Sequence, residues 1–180
     1  MIATELNEAA MIKLQKHIFL IGFMGVGKTS TSRELAKMLN IKEKDTDAMI
    51  VEMEQRSIPE IFETSGETYF RQKETGILDL LAGQEACIVS CGGGMAMREE
   101  NVAKMKESGT VVFLRATPET IYSHVKSSTQ RPLLNGNMNV PYIRQLMEKR
   151  EPKYQAAADV CIETDGLTPD QVAERVVEAL

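Results

Sequence analysis

The chain has 180 residues, 43% of them hydrophobic and 26% charged, the mix of one soluble globular domain large enough for a substantial core. A net charge of −5 argues against a general nucleic-acid binder, which would show a basic face. It leaves room for a few arginines gathered around a small anion.

No run reaches the ~18 apolar residues that a membrane span needs. Residues 1–16 carry Glu5 and Glu8 and no apolar stretch, so they read as a tail or lead-in rather than a signal peptide. They precede a single domain, 17–180. Cys87, Cys91 and Cys161 are odd in number and form no C-x-x-C pair. They are read as free thiols in a reducing cytoplasm, the first two as packing groups that flank a strand.

Strand-like and helix-like patterns alternate, which predicts an α/β domain around a parallel sheet. The first strand, Ile18-Phe19-Leu20-Ile21, runs into Gly22-Phe23-Met24-Gly25-Val26-Gly27-Lys28-Thr29. A helical pattern through Arg33, Leu35, Ala36 and Leu39 follows. This is the G-x-x-x-x-G-K-[ST] phosphate-binding loop in its strand–loop–helix setting. Its glycines let backbone N–H groups face phosphate oxygens, and the helix adds its positive end. Lys28 is expected on the β/γ-phosphates and Thr29 on Mg²⁺. The chain is therefore read as binding a nucleoside triphosphate.

Ile41 to Asp47 is expected to be a strand, and its lysines place it at the sheet's edge. Two residues apart on an extended segment, Asp45 and Asp47 would face one side; a solvated acidic turn is the alternative. Helices are predicted from Asp47 to Gln55 and from Ile58 to Ala82, with Pro59 in a first turn and a break near Gly66. Within the second, Arg71 and Glu74 are i,i+3 partners. That spacing suits a held guanidinium or an ordinary surface ion pair.

Ala86 to Ser90 reads as a buried strand ending in Cys91-Gly92-Gly93-Gly94. Three glycines at a strand's C-terminal end let backbone approach a ligand closely, where open α/β sheets bind theirs. A polar helix then precedes the strand Thr110 to Leu114, and Thr117 is expected to cap a helix opening at Pro118. Ser127 to Asn139, rich in Ser, Asn, Gly and Pro, reads as a lid. It carries Arg131-Pro132-Leu133-Leu134, and an arginine there suits charge on a transferring phosphoryl group. A helix from Val140 to about Tyr154 includes Arg150, which could equally be a cation complementing a helix end. A short strand, Val160 to Ile162, and a helix after Thr168-Pro169-Asp170 close the chain.

Taken together and in order, these motifs resemble the shikimate kinases over nearly the whole chain from about His17. They are the phosphate loop, Asp45-Thr46-Asp47, Gly66-Glu67 with Phe70-Arg71 and Glu74, the glycine triplet, Arg131 to Leu134, and Arg150 before Tyr154. The resemblance implies a P-loop kinase fold with five parallel strands in the order 2-3-1-4-5 and a mobile lid. It implies ATP-dependent phosphorylation of shikimate by a cytoplasmic monomer that uses Mg²⁺ and binds neither nucleic acid nor membrane.

By the same resemblance, Gly25, Val26, Gly27, Lys28, Thr29 and Ser30 hold the ATP phosphates, Pro169 covers the base, and Thr29 and Asp45 organise the metal. Asp47 binds the acceptor hydroxyl and helps remove its proton. Arg71 and Arg150 clamp the substrate carboxylate, and Glu74 orients Arg71. Gly92, Gly93 and Gly94 line the shikimate pocket, and Arg131 reaches the phosphates. Lys28, Asp47 and Arg131 are the catalytic set. Two departures stand out: the segment before Asp45 is unusually polar, and His124 and Lys126 lie where the family commonly supplies an arginine beside the adenine. Another small-metabolite kinase such as a gluconate kinase, or a catalytically silent nucleotide-binding domain, is the competing reading. The N-K-x-D motif of a GTPase is absent.

Overall fold

The structure, a computed structural model, describes residues 14–127, 134 and 136–180. Most of the predicted lead-in and the part of the predicted lid that holds Arg131 lie outside the described residues.

Strand β1 (His17–Ile21) is buried along its whole length, as a central parallel strand covered on both faces must be. Full burial of side chains such as Phe19 and Leu20 contributes ~1.5–3 kcal/mol each. Helix α1 (Lys28–Leu39) follows the phosphate loop and stops at Asn40, which adopts the left-handed conformation (φ 51°). Strand β2 (Glu43–Asp45) is short and only partly buried, and it passes directly into helix α2 (Thr46–Glu54).

Helix α3 (Ile58–Ala82) opens with a capping box between Ser57 and Glu60, with Pro59 in its first turn. Glu60 returns a bond to the Ser57 N–H, so two backbone donors are satisfied reciprocally. Its helical dihedrals fail at one residue, Gly66 (φ 83°, ψ 169°), the expected break. Strand β3 (Ile88–Ser90) is fully buried and leads through the glycine triplet to a 3₁₀ turn, Met95–Met97. Helix α4 (Glu99–Ser108), strand β4 (Gly109–Arg115) and helix α5 (Pro118–Val125) follow, with Thr117 capping α5. Helix α6 (Val140–Ala157), strand β5 (Val160–Glu163) and helix α7 (Pro169–Ala179) complete the order.

All five strands are parallel and lie in the order β2-β3-β1-β4-β5, so β2 is an edge, in keeping with Lys44 within it and Lys42 just before it. The strand order reverses around β1. The C-terminal ends of β1 and β3, side by side, open the crevice where such sheets bind ligands.

Some boundaries differ from expectation. The strand predicted from Ile41 narrows to Glu43–Asp45 because only those residues pair with β3. The strand predicted from Ala86 begins at Ile88. Helix α6 continues through Pro152 to Ala157. No helix among the described residues is long and apolar enough to cross a membrane. The three cysteines form no disulfide; Cys87 and Cys91 are buried and Cys161 is exposed.

Candidate active site

The phosphate loop turns on three glycines with positive φ: Gly22 (146°), Gly25 (80°) and Gly27 (100°). Gly22 also admits no side chain, because a methyl group there would run into the Leu114 carbonyl of β4. Lys28, the first residue of α1, curls back so that its Nζ donates to the carbonyls of Gly22 at 2.8 Å and Phe23 at 3.0 Å. The loop lines a cavity of about 400 Å³ together with Asp45, Ser90, His124, Leu167 and Pro169. Gly25, Val26, Gly27, Lys28, Thr29 and Ser30 all face this cavity.

Beside the loop, the Thr29 hydroxyl donates to Asp45 Oδ2 at 2.9 Å and lies 3.2 Å from the Ser90 hydroxyl. Asp45 is the N-cap of α2, its Oδ1 accepting the N–H groups of Asp47 at 3.0 Å and Ala48 at 3.1 Å. The two aspartates are thus brought together at a helix start. The extended-strand argument for their shared direction fails, because Thr46 is already helical. The described residues hold no group of three or more His, Cys, Asp or Glu side chains suited to a metal. An oxygen-only pair, one hydroxyl and one carboxylate, fits Mg²⁺, which takes few protein ligands when phosphates and water supply the rest.

A second cavity, of about 430 Å³, adjoins the first. Arg71, Glu74 and Arg150 give it charge, Phe62 and Phe70 an apolar wall, and the glycine triplet one side. Each glycine admits something different. A methyl group at Gly92 would stand 2.6 Å from Asp47 Oδ1 and 3.0 Å from Glu74 Oε1. One at Gly94 would collide with the Arg71 guanidinium. The Gly93 carbonyl accepts from Arg150 Nη1 at 3.4 Å and from the Tyr154 hydroxyl. Arg150 also lies over the Phe23 ring, 5.8 Å from its centroid, a cation–π arrangement.

Arg71 is held from two directions. Its Nη1 donates to Glu74 Oε2 at 2.8 Å, while Nε and Nη2 donate to Glu67 Oε1 at 3.4 and 3.1 Å. Glu74 is fully buried. Burial lifts its pKa from 4.5 to about 6, against the pull of Arg71 downward. Burial also pushes the Cys91 thiol far up, so Cys91 is a neutral packing group beneath the site.

The two cavities share Met24, Asp47, Gly92 and Gly93. Asp47 therefore stands where they meet. Of the residues expected from sequence, the structure gathers Lys28, Thr29, Ser30, Asp45 and Pro169 at one cavity, Arg71, Arg150 and Gly94 at the other, and Asp47 at both. Arg131 lies outside the described residues. Three contributors were not singled out as site residues: Ser90, Tyr154, and Thr46, whose buried hydroxyl accepts the Gly92 N–H at 2.9 Å. Each had a cue: Ser90 ends the strand before the glycines, Thr46 separates the aspartates, and Tyr154 follows Arg150 by one helical turn.

Chemically, one cavity sets a lysine beside a hydroxyl–carboxylate pair, and the other sets two guanidinium groups against an apolar wall. The family model for shikimate kinase matches residues 24–180. The chain is 39% identical over 163 residues to the shikimate kinase of Thermodesulfovibrio yellowstonii, covering 91% of this chain and 94% of that protein. It is 38% identical to the shikimate kinase of Persephonella marina, covering 90% and 97%. Among solved structures it is similar to shikimate kinase from Acinetobacter baumannii in complex with shikimate. There the TM-score is 0.89 at 31% identity, with 94% of each chain covered. A gluconokinase from Sinorhizobium meliloti, at TM-score 0.60 and 15% identity over 92% of this chain and 91% of that one, shares the fold alone. On the family model, the identity to these relatives and the shared fold, the chain belongs to the shikimate kinase family.

Proposed function

We propose that the chain transfers the γ-phosphoryl group of ATP to the 3-hydroxyl of shikimate, giving shikimate 3-phosphate and ADP on the route to aromatic amino acids. One observation carries this reading: the phosphate-loop cavity and the arginine-bearing cavity meet at Asp47. A donor phosphate and an acceptor hydroxyl brought there would be adjacent.

In this reading the loop amides and Lys28 neutralise the phosphates. Mg²⁺, held by Thr29 and Asp45, would supply further charge neutralisation on the phosphate oxygens. Arg71 and Arg150 clamp the substrate carboxylate, since each offers a planar set of donors. Asp47 accepts the acceptor hydroxyl's hydrogen bond, orients its oxygen toward the γ-phosphorus and takes up its proton. Such a reaction depends on positioning and electrostatics more than on covalent help. The Val51, Phe62 and Phe70 side chains wall the acceptor cavity, which favours exclusion of water that would otherwise take the phosphoryl group. Arg131 is assigned to the transferring phosphate on sequence alone. We take the enzyme to be a monomer and place it in the cytoplasm.

The test is ADP release from Mg-ATP with shikimate, against no acceptor and against gluconate. Turnover should require shikimate and fall by about 10²–10⁴-fold in Asp47→Asn. Arg150→Ala should raise the KM for shikimate. Turnover with gluconate in place of shikimate would overturn the assignment.

A further inference from the structure

His124 belongs to none of the roles above, yet it touches the phosphate loop. It sits in the last turn of α5 and lines the first cavity. Its Nδ1 lies 2.7 Å from the Gly25 carbonyl oxygen. A carbonyl only accepts, so Nδ1 carries the proton and donates.

The peptide between Gly25 and Val26 is thereby held on both sides, because the Val26 N–H donates to the Phe23 carbonyl at 3.2 Å. Gly25 needs this restraint: with φ at 80° and no side chain, it is the residue type that turns most freely. It also abuts α5 so closely that a methyl group there would run into Val125. Lys28 engages the carbonyls of Gly22 and Phe23, and His124 engages that of Gly25. Turned into the cavity, the Gly25 oxygen would set its lone pairs against phosphate oxygens, in a loop whose N–H groups are meant to face them.

We propose that His124 is a positioning residue for the nucleotide, its Nδ1–H keeping the Gly25 carbonyl turned away from the phosphates and the loop in its anion-binding form. This rests on the reading of the first cavity as the nucleotide site. Because His124 is exposed, its substitution removes no buried side chain, and its variants are expected to fold.

The experiment is calorimetric titration of the full chain with Mg-ADP and no acceptor, using wild type, His124→Ala, His124→Phe and His124→Asn. Loss of one hydrogen bond predicts about three- to tenfold weaker ADP binding for both Ala and Phe. Asn, whose amide nitrogen takes the place of Nδ1, should recover most of it. In turnover, the KM for ATP should rise in Ala and Phe while the KM for shikimate stays put. Wild-type affinity in the Phe variant would overturn the proposal, leaving ring contact with the base as the whole effect; so would an Asn variant no better than Ala. A wild-type chain that takes up no ADP would overturn the nucleotide reading itself, a failure distinct from that of His124.

Discussion

Glu74 carries a charge in a place that resists it, since at neutral pH its buried carboxylate is ionised although burial holds its pKa at about 6. What it gains is a fixed partner: the Arg71 guanidinium at 2.8 Å, which lines the second cavity. The pH dependence follows from the sign of the shift. The folded state binds the Glu74 proton more tightly than the unfolded chain does, so this residue's contribution to stability grows as pH falls from 6 toward 4.5. Ionisation above that window costs about 2 kcal/mol. In Glu74→Gln this titration is gone. Urea unfolding of the two proteins should show the wild type gaining up to about 2 kcal/mol relative to the variant between pH 7.5 and 4. A constant difference across that range would mean that Glu74 ionises without penalty. The pairing of Arg71 with Glu74 was legible from its i,i+3 spacing, but its burial was not, because the same spacing serves a solvated pair equally well. Thr46 and Tyr154 were harder still. Their partners, Gly92 and Gly93, lie 46 and 61 residues away, beyond the reach of any local pattern.

Helix α3 is two helices joined at Gly66, and the join decides how Arg71 meets the residues before it. Pro59 and Phe62 lie on one side of the break and Phe70, Arg71 and Glu74 on the other, yet all five line the second cavity. Across the same break, Glu54 at the end of α2 accepts from Tyr69 at 2.8 Å and pairs with Lys73 at 2.7 Å and Arg56 at 2.6 Å. These bonds hold Glu54 near a pKa of 2, the Lys73 bond first among them. Gly66 has φ 83° and ψ 169°, a conformation open essentially to glycine alone. Nothing lies within 4 Å of where a methyl group would go, so Gly66→Ala would act through backbone strain with no collision. That strain should cost about 1–3 kcal/mol, read as a lowered urea midpoint. Unchanged stability would show that the break tolerates an ordinary residue. Glycine signals a break in sequence because its backbone preference is local, and for the same reason the position near Gly66 was legible. The strand ends were legible only to within a few residues, since pairing with β3, a nonlocal event, sets where β2 begins.

At the scale of the whole molecule, the parallel α/β class was open to sequence reading because buried strands are short apolar runs, whereas the sheet order followed only from the family resemblance. What the sequence could not place is the meeting of the two cavities, which depends on β1 and β3 lying side by side. That adjacency has a thermodynamic consequence. The loop after β1 and the glycines after β3 each serve both cavities, through Met24 and through Gly92 and Gly93. Ordering these residues around one ligand leaves less to order around the other, and coupling of this kind is positive. Each ligand at a hundredfold excess over its Kd should stabilise the fold by about 2.7 kcal/mol. ADP and shikimate together, a pair that cannot react, should exceed the sum of their separate effects by about 1–3 kcal/mol, the usual range of coupling between sites. Urea unfolding with no ligand, with each ligand and with both yields the four free energies required. A joint effect equal to the sum would make the cavities independent despite their shared residues. An effect below the sum would mean that the two ligands compete for the space around Asp47, so that a donor and an acceptor could not stand there together.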